Sequence, residues 1–274
     1  MTKVTNEVVA LLGAGSIGLE IVRRVATNRT VLLGDISQTN LDMAKQSLED
    51  SGFTVETMVT DGGDRTAIQA LANKARQLGE VVRYIHTAGL SPNQATFDDI
   101  IRLDLTGTAI ALEIFGKVMA PGGSGLVVSS MAGHMFVDTV TSEQRLALAT
   151  TPSDELGQLD FVTQDVMGGA YAISKLGNIL RVQSESLNWA ERGARLNSIS
   201  PGIIITPLAR YELQENPDGY QSLIDNSATK RVGTTAEVAT AGAYLLSDEA
   251  SFITGTDLLI DGGVIAAMKN GRMG

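Results

Sequence analysis

Tyr171 and Lys175 are the residues whose types and spacing point most directly to catalysis. On a helix, two side chains four positions apart lie on the same face. A free tyrosine has a pKa of about 10, and a nearby ammonium favours its phenolate form. Tyr171 is therefore a candidate to exchange a proton with an alcohol or a carbonyl. The same spacing also arises by chance, so the rest of the chain must supply a site around it.

A glycine-rich turn is the second feature that suggests chemistry. Gly13-Ala-Gly-Ser-Ile-Gly18 follows an apolar run from Val8 to Leu12, which is typical of a strand buried on both faces. A helical pattern follows the turn, and Asp35 comes after the next predicted strand, Thr30 to Leu33. Such glycines let the backbone approach a pyrophosphate, and the N-terminus of the helix offers free N–H groups. We predict dinucleotide binding here; a tight turn without a ligand is the alternative interpretation.

Predicted strands and helices alternate along the chain and would position these residues. Further strands are expected at 54–59, 81–86, 126–128, 196–200 and 258–260, with helices at 17–27, 40–50, 64–78, 97–119, 170–192 and 234–246. This alternation predicts a single-domain α/β fold over residues 1–274, a Rossmann-like doubly wound parallel sheet with helices on both faces.

Two segments fall outside the alternation. Residues at about 133–168 contain two helix-start signals, beginning at Thr141 and Thr151, but no strand pattern. We predict an inserted, partly helical loop there that shapes both the substrate pocket and the subunit contacts. The residues at its entry and exit are expected to form an apolar wall of the pocket, and these are Met131, Met135, Phe136, Val166 and Met167. The polar segment at about 206–230 is predicted to be a mobile substrate lid.

The composition disfavours several classes of function. A formal net charge of -10 argues against nucleic acid or an anionic membrane as a partner. The chain has no cysteine and only His86 and His134 as histidines, which argues against a metal site and suits a reducing cytoplasm. The N-terminus lacks a basic leader, and its apolar run is too short for a signal peptide or a membrane span. We expect a cytoplasmic protein, with His134 in a pocket wall or on the surface.

The candidate residues share one placement, because each group follows a predicted strand. Asp61 follows the third strand, Thr87 to Gly89 the fourth, Ser130 the fifth, and the Pro201-Gly202 loop the sixth. In open α/β sheets this carboxyl edge is where ligands bind. We therefore expect these residues to form one site.

Together these motifs resemble those of the short-chain dehydrogenase/reductase family, over essentially the whole chain. The motifs are the glycine turn, Asp35, Asp61, Ala88-Gly89, Ser130 in Ser-x-x-Gly, Tyr171-x-x-x-Lys175, Ser200-Pro-Gly with Thr206, and Ile260-Asp-Gly-Gly. The long separation of Ser130 from Tyr171, with the ending Asp261-Gly-Gly-Val-Ile-Ala-Ala-Met, particularly resembles the bacterial 3α-hydroxysteroid dehydrogenase/carbonyl reductase branch.

The resemblance implies a role for each motif. Tyr171 would be the general acid/base, Ser130 would hydrogen-bond the substrate oxygen, and Lys175 would bind the nicotinamide ribose and lower the pKa of the tyrosine. The backbone of Ile204 and the side chain of Thr206 would hold the nicotinamide end. The cofactor-binding residues predicted altogether are Gly13, Gly15, Ser16, Ile17, Gly18, Asp35, Asp61, Gly62, Thr87, Ala88, Gly89, Tyr171, Lys175, Pro201, Gly202, Ile204 and Thr206.

Three positions depart from the family pattern. The usual Thr-Gly-x-x-x-Gly-x-Gly turn is one residue shorter here, and the usual Asn-Asn-Ala-Gly reads His86-Thr87-Ala88-Gly89. Asp104 stands where the family has a helix asparagine that holds a proton-relay water. A carboxylate accepts a hydrogen bond from water but cannot donate one, so we expect an altered relay with Asp104 as a fourth catalytic residue. The alternatives are that Asp104 is an ordinary helix acid and that Asp61, instead of contacting adenine, caps the next helix.

These residues predict an oxidoreductase that interconverts a ketone and a secondary alcohol, with bulky cyclic or aryl substrates preferred. We expect NAD(H) in preference to NADP(H), because Asp35 has no arginine or lysine beside it in Gly34-Asp-Ile-Ser37. A homo-oligomer, dimer or tetramer, is also expected. The rival functions are a cofactor-sensing binding protein of the same fold and an epimerase or dehydratase that uses the same tyrosine.

Overall fold

The structure is a computed structural model that describes residues 6–93 and 95–272, without the side chains of residues 208, 211 and 212. The sequence predicts that the N-terminus carries no leader. Residues 1–5, on which this prediction partly rests, lie outside the described residues. In the described ranges, no helix is both long enough and apolar enough to span a bilayer.

Seven strands of the described chain form one parallel sheet. The strands of the described chain are β1 Glu7–Leu12, β2 Thr30–Asp35, β3 Thr54–Val59, β4 Glu80–His86, β5 Met119–Val128, β6 Arg195–Pro201, β7 Ile204–Ile205, β8 Gly233–Thr234 and β9 Asp257–Ile260. The order in the seven-stranded sheet is β3-β2-β1-β4-β5-β6-β9, which confirms the predicted doubly wound fold. A separate parallel pair joins β7 and β8.

Helices connect most of these strands. They are α1 Ser16–Val25, α2 Gln38–Glu49, α3 Arg65–Leu78, α4 Phe97–Ile100, α5 Thr108–Gly116, α6 Ala132–Met135, α7 Ser142–Thr150, α8 Gly169–Ala190, α9 Pro207–Glu215, α10 Pro217–Asn226, α11 Thr235–Leu246 and α12 Val264–Lys269. A π-helical segment, Ile101–Gly107, joins α4 to α5. Short 3-10 turns occupy Val137–Thr139, Ser153–Gln158 and Asp248–Ala250.

Two apolar layers cover the sheet, as the unbroken hydrophobic strands require. On one face, α1, α2 and α11 pack on residues such as Leu11 and Ile85. On the other, α3, α5 and α8 pack around Tyr84, Phe115 and Trp189. The chain reverses direction across the sheet between β1 and β4, and ligands of this fold bind at that switch point.

Three elements differ from the sequence-based prediction. The helix expected over 97–119 ends at Gly116, because Met119 pairs with Val81 of β4 and already belongs to β5. The β7–β8 pair was not predicted, since two-residue strands show no alternation. The six-residue helix α12 was also missed.

The two segments outside the alternation are largely helical. In the insert, Thr141 forms a capping box with Gln144 at the start of α7, at the first predicted signal, and a 3-10 turn begins just after the second. Leu148 and Leu156 are fully buried against the helices beneath them. The predicted lid segment forms α9 and α10, and Pro217 occupies the first turn of α10. Its mobility and its role as a lid remain predictions.

Candidate active site

A cavity of about 970 Å³ opens at the carboxyl edge of the sheet, beside the switch point. It lies where β4, β5 and β6 end, with α8 on one side and α9 and α10 on the other. Many of the predicted site residues line it, and these are Ile17, Thr87, Gly89, Ser130, Tyr171, Lys175, Pro201, Gly202, Ile204 and Thr206. The structure thus brings together the predicted catalytic groups and the predicted nicotinamide end of the cofactor site.

Tyr171 and Lys175 lie one turn apart near the start of α8. Gly168 has a φ of 82° and precedes the helix in the left-handed conformation that glycine favours. The ammonium Nζ of Lys175 lies 5.1 Å from the centroid of the Tyr171 ring. Tyr171 is half-buried and lines the cavity, whereas Lys175 is buried.

Ser130 follows β5 and faces the same cavity. Its Oγ accepts a hydrogen bond from the backbone N–H of Ala132 at 3.2 Å, which leaves the O–H free to donate to a substrate oxygen. The preceding Ser129 donates to the backbone carbonyl of Lys175 at 2.8 Å and thereby links the end of β5 to α8. These contacts position Ser130 relative to Tyr171 through short, local connections.

Lys175 forms a buried ion pair with Asp104 of the π-helical segment. Oδ2 of Asp104 lies 2.9 Å from Nζ, and Oδ1 accepts from the N–H of Leu90 at 2.8 Å. Burial disfavours the charge of Lys175, but Asp104 and Tyr171 favour it more strongly, so the pKa of Lys175 lies above its ordinary value. Asp104 therefore touches the predicted catalytic lysine directly.

His86 lies at the end of β4, close to this ion pair, and is fully buried. Tyr84 Oη is 2.9 Å from its Nδ1, and Thr108 Oγ1 is 3.1 Å from its Nε2. Thr108 donates its own proton to the carbonyl of Asp104, so Nε2 of His86 is the donor and Nδ1 the acceptor from Tyr84. Burial, with a smaller effect from the charge of Lys175, lowers the pKa of His86 to about 3. This histidine is neutral at physiological pH and serves the packing of the site.

The glycine turn has the geometry that a dinucleotide requires. Gly13 has a φ of 95°, and a Cβ there would lie 2.4 Å from the backbone nitrogen of Ala88, so β1 and β4 approach too closely for a side chain. A Cβ on Gly18 would lie 2.6 Å from Oγ1 of Thr87, which itself donates to the carbonyl of Gly13. Gly15 caps α1 without a side chain and has open space around it. The first N–H groups of α1, from Ser16 onward, are therefore available for a phosphate.

Asp35 ends β2 next to this turn. Its Oδ2 accepts from the N–H of Ala14 at 2.8 Å, and its Oδ1 accepts from the N–H of Ser37 at 2.9 Å. Among the described residues, no lysine or arginine forms a salt bridge with it. Backbone hydrogen bonds thus hold the carboxylate of Asp35 beside the glycine turn.

Asp61 has partners that the sequence did not indicate. Both of its oxygens contact Nη1 of Arg102, at 3.1 and 3.0 Å, and Oδ1 also accepts from the N–H of Gly63. The next helix, α3, is capped by Asp64 instead, so the capping alternative for Asp61 was wrong. Gly62 lies against Leu103, and adenine contact by either residue remains a prediction.

The loop after β6 forms the remaining wall of the predicted nicotinamide end. A Cβ on Gly202 would lie 2.7 Å from Cα of Asp261, so only glycine fits there. Thr206 accepts from the N–H of Ala209 and thereby caps α9, which leaves its O–H available as a donor. Ile204 pairs with Gly233.

The predicted apolar wall is confirmed in part. Met131, Met135 and Phe136 line the cavity. Val166 packs instead in the apolar cluster under the insert, and Met167 is 60% exposed. The expectation for Met167 was wrong, because the chain turns outward just before Gly168 and Gly169 start α8.

A hydrogen-bonded contact between His134 and Asp257, near the site, was also not predicted. His134 Nε2 lies 2.8 Å from Oδ2 of Asp257, whose other oxygen accepts from Ser198 and Ser200. It links α6, just after Ser130, to the edge strand β9. These residues are more than a hundred positions apart, so no local pattern could reveal the contact.

Family models match most of the chain in two consecutive parts. Residues 7–142 match the model described as short chain dehydrogenase, and residues 157–265 match the model described as Enoyl-(Acyl carrier protein) reductase. The first part contains the glycine turn and Ser130, and the second contains Tyr171 and Lys175.

Whole proteins of known family also resemble this chain. "Short-chain dehydrogenase/reductase bsc3" of Alternaria brassicicola is 40% identical, covering 97% of this chain and 98% of that protein. "Galactitol 2-dehydrogenase (L-tagatose-forming)" of Cereibacter sphaeroides is 29% identical and covers 93% of both. The crystal structure of levodione reductase superposes with a TM-score of 0.76 at 25% identity, covering 96% of this chain and 99% of that one.

Proposed function

We propose that this chain, which belongs to the short-chain dehydrogenase/reductase family, interconverts a ketone and a secondary alcohol. The observation that carries the proposal is the convergence of Tyr171, Ser130 and Lys175 on one cavity at the switch point of the sheet. The family uses nicotinamide cofactors, and the open glycine turn fits such a group. Reductases and dehydrogenases among its relatives agree with this class of reaction.

The residues of the cavity would have separate roles in a carbonyl reduction. The glycine turn, Ile204 and Thr206 would hold a reduced nicotinamide cofactor, which would provide the hydride that the carbonyl carbon needs. Ser130 donates a hydrogen bond to the carbonyl oxygen, and the O–H bond of Tyr171 breaks as a new O–H bond forms on that oxygen. Lys175, held by its buried contact with Asp104, would bind the ribose of the cofactor and would stabilise negative charge on Tyr171. In alcohol oxidation the same proton moves in the opposite direction.

We further propose a bulky cyclic or aryl ketone as the substrate. The flexible thioethers of Met131 and Met135, with Phe136 and Ile203, give the cavity adaptable apolar walls. This substrate class agrees with the 3α-hydroxysteroid dehydrogenase/carbonyl reductase branch proposed from the sequence.

The remaining proposals concern the cofactor and the whole protein. Preference for NAD(H) is supported by Asp35, which the glycine turn holds in place. A cytoplasmic homo-oligomer is the expected form, and neither nucleic acid nor a membrane is an expected partner.

A panel of ketones tests the function directly. Oxidation of reduced cofactor, followed by absorbance, should be faster with cyclic and aryl ketones than with small polar ones. Cofactor binding without turnover of any ketone or alcohol would favour the cofactor-sensing alternative.

Tyr171→Phe tests the catalytic assignment. The variant should lose about 10²- to 10⁴-fold in turnover, because the phenol supplies the proton and the ring alone cannot. Reduced-cofactor fluorescence should show nearly unchanged cofactor affinity. Tyr244→Phe, on the exposed side of α11, is the matched control with normal turnover. Retention of more than about a tenth of parental turnover by Tyr171→Phe would refute the assignment.

A further inference from the structure

Asp104 is packed so tightly against Lys175 that the two form one unit. Asp104 is fully buried and Lys175 is 5% exposed. A Cβ on Gly89 would lie 3.0 Å from Oδ2 of Asp104 and 3.1 Å from Nζ of Lys175, so the backbone of Gly89 closes over the pair. At 2.9 Å, the carboxylate and the ammonium are in direct contact, with no space for water between them.

The contacts of Asp104 suit an ionised carboxylate. Oδ1 accepts from a backbone N–H and Oδ2 faces an ammonium, and an ionised carboxylate only accepts. The titratable groups that interact electrostatically with Lys175 in the described chain are Asp104, Tyr171 and His86. His86 carries no charge at physiological pH. The positive charge beside Tyr171 is therefore opposed by one adjacent negative charge.

This arrangement has a direct consequence for Tyr171. A lone ammonium beside a phenol favours loss of its proton, and an adjacent carboxylate opposes that effect. We propose that Asp104, as a positioning residue acting through Lys175, raises the pH at which Tyr171 loses its proton. The proposal rests on the role of Tyr171 in the proposed function. It deepens that function by assigning Asp104 a role in setting the pH range over which Tyr171 can donate a proton.

Asp104→Asn provides the test, because an amide keeps an acceptor for Leu90 and removes the charge. Phenolate absorbance is titrated in parent and variant, each as a difference against the same protein with Tyr171→Phe. The Tyr171 phenolate should appear about 1–3 pH units lower in Asp104→Asn. Asp98→Asn, which removes an exposed carboxylate from the adjoining α4, should titrate like the parent.

Kinetics supply a second readout on the same proteins. Ketone reduction needs the protonated Tyr171, so the pH above which kcat/KM for the ketone declines should be lower in Asp104→Asn by the same amount as the phenolate titration. An unchanged phenolate titration overturns the proposal, even if Tyr171→Phe abolishes turnover. A shifted titration in a protein that reduces no ketone supports the electrostatic role and refutes the proposed function.

Variants at Asp104 that do not fold also decide between the proposed role and a purely structural one. If Asp104→Asn does not fold, Asp104→Ser, which keeps a neutral acceptor, is titrated in its place. Failure of both variants to fold would make Asp104 a structural residue and would overturn the proposal.

Discussion

Asp35 joins two parts of the candidate cofactor site through hydrogen bonds from Ala14 and Ser37. Because backbone groups hold both oxygens, the carboxylate cannot easily turn away from a group bound at the glycine turn. Its charge would then meet the 2′-phosphate of NADP(H) at short range. Two unit charges 4 Å apart repel by about 4 kcal/mol at an effective dielectric of about 20.

Asp35→Asn should therefore reduce the preference for NADH over NADPH by at least about tenfold, mainly through improved use of NADPH. The measurement is kcat/KM with each cofactor at one saturating ketone concentration. Asp42→Asn, an exposed acid on α2, is the charge-matched control. Equal or better use of NADPH by the parent would show that Asp35 does not discriminate between the cofactors.

At the scale of elements, the insert has one side buried against neighbouring helices and one side that faces outward. On one side, Leu148 and Leu156 bury apolar surface against α8 and the π-helical segment, including Ile101, Leu105 and Leu176. Asp154 adds a salt bridge to Arg65 of α3 at 2.8 Å. On the other side, Leu146 of α7 is 64% exposed. The insert thus covers the helices beneath it and presents a new outer surface.

Replacement of residues 138–164 by a short glycine-serine linker should change both the ketone preference and the oligomeric mass. The physical reason is that it uncovers the apolar cluster beside Tyr171 and removes the outer face of α7. Activity on the ketone panel and mass by light scattering are the measurements. A folded variant that keeps both properties would show that the insert has neither role.

Leu146→Asp separates the two effects. It charges the outer face of α7 and leaves the buried face intact, so the oligomeric mass should fall while the ketone preference stays parental. An unchanged mass would place the subunit contact elsewhere.

At the scale of the whole molecule, the buried His86 connects the site to the acid stability of the fold. Its folded pKa of about 3 lies below the ordinary value of 6.5. Between these values the unfolded chain binds a proton that the folded protein excludes, so stability falls as the pH decreases. The contribution of His86 to the free energy of unfolding is complete above pH 6.5 and decreases by about 1.4 kcal/mol per pH unit below it.

His86→Asn should flatten the dependence of the free energy of unfolding on pH between 6.5 and about 3 by up to that slope. Urea unfolding at several pH values measures it, and slopes are compared because the substitution also alters packing. Parallel slopes for His86→Asn and the parent would mean that His86 accepts a proton in the folded state.

The sequence by itself determined the sheet and the glycine turn, and it supplied the proposed catalytic residues. Unbroken apolar strands and amphipathic helices encode a doubly wound fold, because each pattern has few ways to bury its surface. Once the strands are parallel, their ends share one edge, so residues as distant as Ile17, Ser130 and Thr206 could be predicted to converge. The family motifs at Ser130, Tyr171 and Lys175 then suggested their chemistry.

Only the tertiary structure decided which of these residues touch. The Asp104–Lys175 pair, the Asp61–Arg102 contact and the environment of His86 all join side chains from different elements. Local patterns in the chain carry no information on distances of this kind. A contact between distant elements also decides that α5 ends at Gly116, since pairing of Met119 with Val81 overrides the helical pattern. The electrostatic balance around Tyr171 depends on such contacts, because it varies with ångström-scale separations that spacing along the chain cannot specify.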